Sequence, residues 1–337
     1  MANNIFGLDL GTSNIKIYNK AEDGFLIEKN MIAIENKNTL LAYGDSAYEM
    51  YEKAPSNIRT SYPVCNGVIA DIKNMETLVK YFISDLSKKS GLRPADFFVA
   101  VPTDVTEVEK RAFYDLIKDA GVKAKKIMVV EKAVADGLGL DIDVKNSQGV
   151  MIVNVGYATT EISILSLGGI VLSKLIKVGG FKFDEAIRAG VRKEYNLIIG
   201  EKSAEKIKMN LKELEKAGKS AVVYGRDIVT GLPIEREIPT QLVATSLEEH
   251  FGTIIDNIKV ILERTPPELG ADIYRNGIYL TGGASQVSHL AGLIQKGTGL
   301  KVNTAEKPLE SVAIGLSKII KEDNYKSLAY AIEGMGK

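Results

Sequence analysis

With 337 residues, 45% of them hydrophobic, the chain can fill the cores of two large domains or of one bilobal unit, which excludes a disordered polymer. Lys plus Arg equals Asp plus Glu at 43 each, so no net field would draw the molecule onto a polyphosphate backbone, which argues against nucleic acid as a partner. The single cysteine, Cys65, excludes an internal disulfide framework, and no apolar run approaches the ~18 residues of a membrane-spanning helix.

The start, Met1-Ala2-Asn3-Asn4, lacks the basic region of a secretory signal, and the expectation is a cytosolic protein. Residues 5–18 alternate apolar and polar positions around Asp9-Leu10-Gly11-Thr12-Ser13-Asn14, which predicts two strands and a tight turn. Cys65 reads as a buried small hydrophobe, with no helix N-terminus or histidine to activate it. Met75, Leu78, Val79, Phe82, Ile83 and Leu86 keep helical spacing. So do Val108, Ala112, Leu116 and Ala120, in a helix that opens on a capping box of Thr106 and Glu109. Strands are expected at 97–101 and 127–130.

About 145 positions after the first hairpin, residues 150–165 repeat its design: an apolar strand, a polar residue, a glycine turn, then alternation through Ile162 and Ile164. The repeat predicts two related α/β halves. The first lobe would span 1–143, with core 1–32 and 67–143 and a small insertion near 33–66. The second would span 144–337, with core 144–180 and 241–337 and an insertion near 181–240. Within it, Asp184 is expected to start a helix carrying Ile187, Val191 and Tyr195, and Ser203 another carrying Ile207, Leu211 and Leu214. Leu247, Phe251, Ile254, Ile258 and Ile261 mark a long amphipathic helix stopped by Pro266-Pro267. A strand at 277–280 runs into Thr281-Gly282-Gly283-Ala284-Ser285 and a helix with Leu290, Leu293 and Ile294.

Backbone N–H groups in a glycine turn hold an anion well, because no Cβ blocks its approach and the donors need no rearrangement. Three turns qualify, at 11–14, 156–159 and 282–284. Each alone is better read as an ordinary hairpin or strand–helix turn; two in a repeated hairpin plus a third are more specific. The P-loop pattern GxxxxGK[ST] is absent. Asp9, between Leu8 and Leu10 in a strand that reads as buried, needs a partner to offset its desolvation, and a metal-bound nucleotide would supply one.

These motifs resemble the actin-like superfamily, whose ribonuclease H-like duplicated α/β fold closes two lobes around a nucleotide cleft. Within it the sequence is most similar to the MreB family, on GVIADI (67–72), VTEVEKRA (105–112), GRDIVTGLP (225–233) and TPPELGADI (265–273). The resemblance implies an ATP-binding cytoskeletal protein that polymerises into filaments organising cell shape and cell-wall synthesis, with ATP and Mg2+ as cofactors. Its implied partners are further copies of itself, membrane proteins of cell-wall synthesis and the inner face of the membrane.

Carried over, Asp9 stands near the nucleotide-bound Mg2+, and Gly11, Thr12, Ser13 and Asn14 cradle phosphates, as do Gly156, Tyr157, Ala158 and Thr159. Glu131 matches the glutamate that positions the attacking water. Glu205 and Lys208 match the pair near ribose and base, and Gly282, Gly283, Ala284 and Ser285 line the adenosine. Without the resemblance, Glu205 and Lys208 read as a solvated ion pair and Glu131 as a surface carboxylate.

The chain departs from the family where its second phosphate loop, Asp-x-Gly-Gly-Gly-Thr in relatives, reads Asn154-Val155-Gly156-Tyr157-Ala158-Thr159. Lys132 also replaces the proline that follows the family glutamate. Both changes imply slow or absent hydrolysis with nucleotide binding retained. The loop Ser90-Gly91-Leu92-Arg93-Pro94, a place for membrane contact in the family, offers only Leu92. The alternative is a small-molecule kinase of the same superfamily, which needs a carboxylate base; the nearest is Asp184.

Overall fold

The alternation around Gly11 folds into strands β1 (Asn4–Leu10) and β2 (Asn14–Asn19), an antiparallel hairpin in which Asp9 lies directly opposite Lys16. In the computed structural model, which describes residues 4–87 and 93–332, β2 continues antiparallel into β3 (Gly24–Lys29). The chain divides into two packed units: 1–152 with 163–175 and 309–337, and 153–162 with 176–308.

In the first unit, β4 (Ile32–Glu35), β5 (Thr39–Tyr43) and β6 (Ile58–Ser61) make a small antiparallel sheet beside α1 (Asp45–Met50). The pair β7 (Val64–Cys65) and β8 (Val68–Ile69) follows, and its alternation buries Val64 while turning Cys65 outward. Cys65 is therefore exposed, against the expectation of a buried side chain. Helix α2 (Ile72–Leu86) is capped by Asp71 and buries Met75, Leu78, Val79, Phe82 and Ile83, as its spacing predicts.

Strand β9 (Ala95–Val101) pairs parallel with β1, and α3 (Glu107–Asp119) opens on the expected Thr106–Glu109 capping box. The face of α3 differs from the reading. Phe113, Leu116 and Ile117 form its buried stripe, and Val108, in the first turn and off that stripe, is 80% exposed. Strand β10 (Ala124–Glu131) pairs parallel with β9 and leads into α4 (Lys132–Gly139).

The repeated pattern gives β11 (Val150–Val155), β12 (Thr160–Ser166) and β13 (Gly169–Ile176). Helix α5 (Gly180–Tyr195) starts four residues before Asp184, because carbonyls of the 156–159 turn accept from its first amides and replace a side-chain cap. The pair β14 (Leu197–Ile198) precedes α6 (Glu201–Ala217), which begins after Gly200 rather than at Ser203. An exposed hairpin, β15 (Ala221–Asp227) and β16 (Pro233–Ile238), leads to α7 (Thr240–Glu263). Pro266-Pro267 does more than stop α7: Pro267 takes the first position of α8 (Pro267–Asn276), where its missing N–H costs nothing.

Strand β17 (Ile278–Thr281) enters a single 3₁₀ turn, Gly283–Gln286, before α9 (Leu290–Thr298), and β18 (Val302–Thr304) pairs parallel with β17. The five-stranded sheet runs β13-β12-β11-β17-β18.

The chain returns to the first unit with α10 (Ser311–Lys321) and β19 (Ala329–Tyr330), completing a six-stranded sheet ordered β19-β10-β9-β1-β2-β3. Helices α4 and α10 cross at glycines. A Cβ on Gly139 would run into the carbonyl of Ser311, and one on Gly315 into that of Ala135. No helix among the described residues is long and apolar enough to cross a membrane. Leu92 lies outside the described residues.

Candidate functional site

In the first unit, the parallel strands β1, β9 and β10 bring Asp9, Ala100 and Val130 into one register row, with Glu131 one residue further on opposite Val101. Two strand spacings, roughly 10 Å, therefore separate the Asp9 and Glu131 backbones at the carboxyl edge of the sheet, where α/β folds place ligands.

The turn from Gly11 to Asn14 is braced from beneath by Asn30, which sequence reasoning did not find. Its Nδ2 donates to Gly11 O at 2.8 Å, and its backbone N donates to Ser13 O at 2.8 Å. Tying down two carbonyls removes the groups that would repel an anion. Lys29 Nζ sits 3.4 Å from Ser13 Oγ and stacks over the Tyr48 ring at 4.2 Å.

Asp9 does have the partner its burial demands, but it is Lys16. The Nζ to Oδ2 distance is 2.9 Å, and the residues are 8% and 4% exposed. The hairpin held the signal, since a turn centred between Thr12 and Ser13 puts positions 9 and 16 opposite each other. Among the described residues no group of three or more His, Cys, Asp or Glu could hold a metal. Asp9 with its charge engaged does not fit a protein-held Mg2+; such an ion would depend on phosphate and water oxygens for most of its ligands.

Glu131 Oε1 accepts from Lys110 Nζ at 2.9 Å and from Tyr330 Oη at 2.8 Å, while its Oε2 is buried without a hydrogen-bond partner. Burial lowers the Lys110 ammonium, but the Glu131 carboxylate outweighs it and holds the lysine above its ordinary range. Burial, then the bond to Glu131, pushes the Tyr330 phenol up. Glu131 is thus fixed between two elements rather than solvated.

In the second unit, Gly156 N donates to Thr159 O at 2.8 Å and closes the turn after β11. The start of α5 seats on this turn: Gly180 N donates to Gly156 O at 3.0 Å and Phe181 N to Tyr157 O at 2.7 Å. Only glycine fits there, because a Cβ on Gly179 would stand 2.5 Å from Gly156 O. Gly282, at φ 87°, approaches the same segment, and its Cβ would stand 2.6 Å from Asn154 Oδ1. Ala284 comes close to Gly180 as well. The two predicted turns of this unit, 156–159 and 282–285, therefore belong to one constellation.

Lys208, on α6, completes it. Its Nζ donates to Gly180 O at 3.1 Å and to Asp184 at 2.8 Å, so its ion pair is a buried link between α5 and α6, not a solvated one with Glu205. Glu205 lies one helical turn away, half-buried. Burial pushes the Asp184 carboxyl up to about 7; Lys208 pulls it down, and Glu205 and Glu201 push it up again. Tyr157 turns its ring onto Phe181, with centroids 5.8 Å apart, and donates its hydroxyl to Glu201 Oε1 at 2.5 Å. The signal for this cluster was Gly179-Gly180 directly before an amphipathic helix, a mark of close backbone approach.

A family model described as MreB/Mbl protein matches residues 3–327. The chain is 36% identical to the cell shape-determining protein Mbl of Bacillus cereus, over 92% of this chain and 93% of that protein. It superposes on MreB5 of Spiroplasma citri, in crystal structures bound to ADP and to AMPPNP, with a TM-score of 0.89 and 34% identity, over 97% of this chain and 98% of the other. The fold also matches a chain of the MamK double helical filament, with a TM-score of 0.77 at 20% identity over 95% and 99% of the two chains.

Proposed function

Because the chain belongs to the MreB/Mbl family, we propose that it is an actin-like cytoskeletal protein that binds adenine nucleotide and polymerises into filaments governing cell shape. The observation that carries this reading is the second-unit constellation, where Gly282 closes on Val155 and Asn154, Gly180 on the 156–159 turn and Ala284, and the Lys208 ammonium lies against Gly180. Within the first unit, the Gly11–Asn14 turn, its carbonyls tied to Asn30, is a phosphate cradle in this reading. Nucleotide-bound MreB5 of Spiroplasma citri supports the ligand class.

Hydrolysis is slow in this reading. Asn154 provides an amide where relatives have a carboxylate, and Glu131, proposed to position water, has one oxygen occupied by Lys110 and Tyr330. A kinase role gains no support, because Asp184 is buried in its ion pair with Lys208 rather than open to a substrate hydroxyl.

Sedimentation and electron microscopy of the purified protein with ATP, with ADP and without nucleotide test the proposal. Concentration-dependent filaments that respond to nucleotide are expected, with phosphate release near background. Monomers under all three conditions would refute it.

A further inference from the structure

We propose that Lys16 is a built-in counter-cation of the first phosphate turn, so that this chain binds a nucleoside triphosphate without needing a divalent metal. The inference rests on the reading of the Gly11 turn as a phosphate cradle.

Hairpin register sets Lys16 directly across from Asp9, and both side chains are buried, with Nζ 2.9 Å from Oδ2. The ammonium also lies against the turn itself: a Cβ on Gly11 would stand 3.4 Å from Nζ. Lys29 Nζ, 3.4 Å from Ser13 Oγ, adds a second cation on the same turn.

A divalent ion drawn to a carboxylate needs that carboxylate's charge and lone pairs. Here Lys16 already takes one oxygen and neutralises the charge, and a dication placed beside Asp9 would meet the field of an ammonium. A triphosphate oxygen meets the other side of the same pair: Lys16 gives one N–H to Asp9 and keeps two donors beside the turn amides, and Lys29 adds a compact positive charge.

Calorimetry of ATP binding to the full chain, with magnesium present and with EDTA, tests this directly. The wild-type dissociation constant is expected to change less than about threefold between the two, whereas Lys16→Gln, which keeps a donor for Asp9 but no charge, should weaken at least about tenfold in EDTA. Lys16→Arg keeps the charge and should remain indifferent to metal. A wild type that loses tenfold or more in EDTA overturns the inference while leaving nucleotide binding intact, as does a Lys16→Gln protein indifferent to magnesium. If Lys16→Gln fails to fold, the wild-type and Lys16→Arg titrations decide. Absence of ATP binding by the wild type in both buffers would instead sink the phosphate-cradle reading, and this inference with it.

Discussion

Each packed unit places a buried lysine–aspartate pair beside a glycine turn, yet the two pairs are built in different ways. Asp9 and Lys16 are cross-strand neighbours seven residues apart, fixed by the register of one hairpin. Asp184 and Lys208 are 24 residues apart and join two helices, with Glu201 and Glu205 adding negative charge around them. The first pair is set by local register, its two backbones held opposite each other within one hairpin. The second is a tertiary link whose charge state lies close to neutrality, because burial and the neighbouring glutamates outweigh the lysine.

Glycine substitutions should break the second turn more severely than the first. Gly282→Ala forces a Cβ onto φ 87° and against Val155 and Asn154, and we expect a loss of about 5 kcal/mol, roughly the sum of αL strain and unrelieved overpacking. Gly11→Ala meets the Asn14 carbonyl, 2.8 Å from the new Cβ, and the flexible end of Lys16 at 3.4 Å, without a positive φ, and should cost about 1–3 kcal/mol. Urea unfolding midpoints measure both. Equal losses would show that the turns do not differ in this way.

Removing one lysine tests the pairs themselves. Lys208→Met leaves Asp184 buried without its cation, at a cost of about 4 kcal/mol near pH 8. The cost should shrink in acid, where Asp184 takes up a proton in place of the lysine. Thermal melts of Lys208→Met across pH would show it, and a cost independent of pH would place the Asp184 carboxyl in its ordinary range.

The wild type should carry the same signature. Folding raises Asp184 from a reference of 3.8 to about 7, so the folded state holds more protons than the unfolded one between these values. The contribution of this group is fully present below pH 4 and is lost as pH rises toward 7, on the order of 4 kcal/mol. Asp227, lowered by its bonds to Thr230 and Val229, and Glu215, which His289 and Ser288 hold down against its burial, give slopes of the opposite sign. The difference between wild type and Asp184→Asn isolates the effect, because those groups are common to both proteins. A difference that stays flat from pH 4 to 7 would contradict the assignment.

This contrast also explains how much the sequence could tell. Both hairpins, the capping box at Thr106 and the burial of α2 follow from local periodicity and turn chemistry, and all were legible. So was the actin-like α/β architecture, through motifs carried by those same turns. What escaped are tertiary decisions. Which carbonyls Asn30 ties down, and that Asp184 lies inside α5 facing Lys208, depend on elements that meet only after folding. The early start of α5 escaped because turn carbonyls from another segment replaced the side-chain cap that the reading looked for. Lys16 is the exception, since hairpin symmetry alone places it across from Asp9.

The smallest expected effect concerns Tyr157, the bulkiest residue of the second turn. Its ring rests on Phe181 and its hydroxyl on Glu201, so the side chain is anchored toward the starts of α5 and α6. Tyr157→Phe keeps the ring contact and deletes the hydroxyl bond to a carboxylate, which should cost about 1.5 kcal/mol. The matching change in the first turn, Asn30→Ala, deletes the Nδ2 bond to Gly11 O and should weaken ATP binding as well as stability, because the turn then loses its brace. If Tyr157→Phe instead leaves the melting temperature unchanged, the hydroxyl does not hold the side chain in place. The contact of its ring with Phe181 would then be what anchors the tyrosine toward α5.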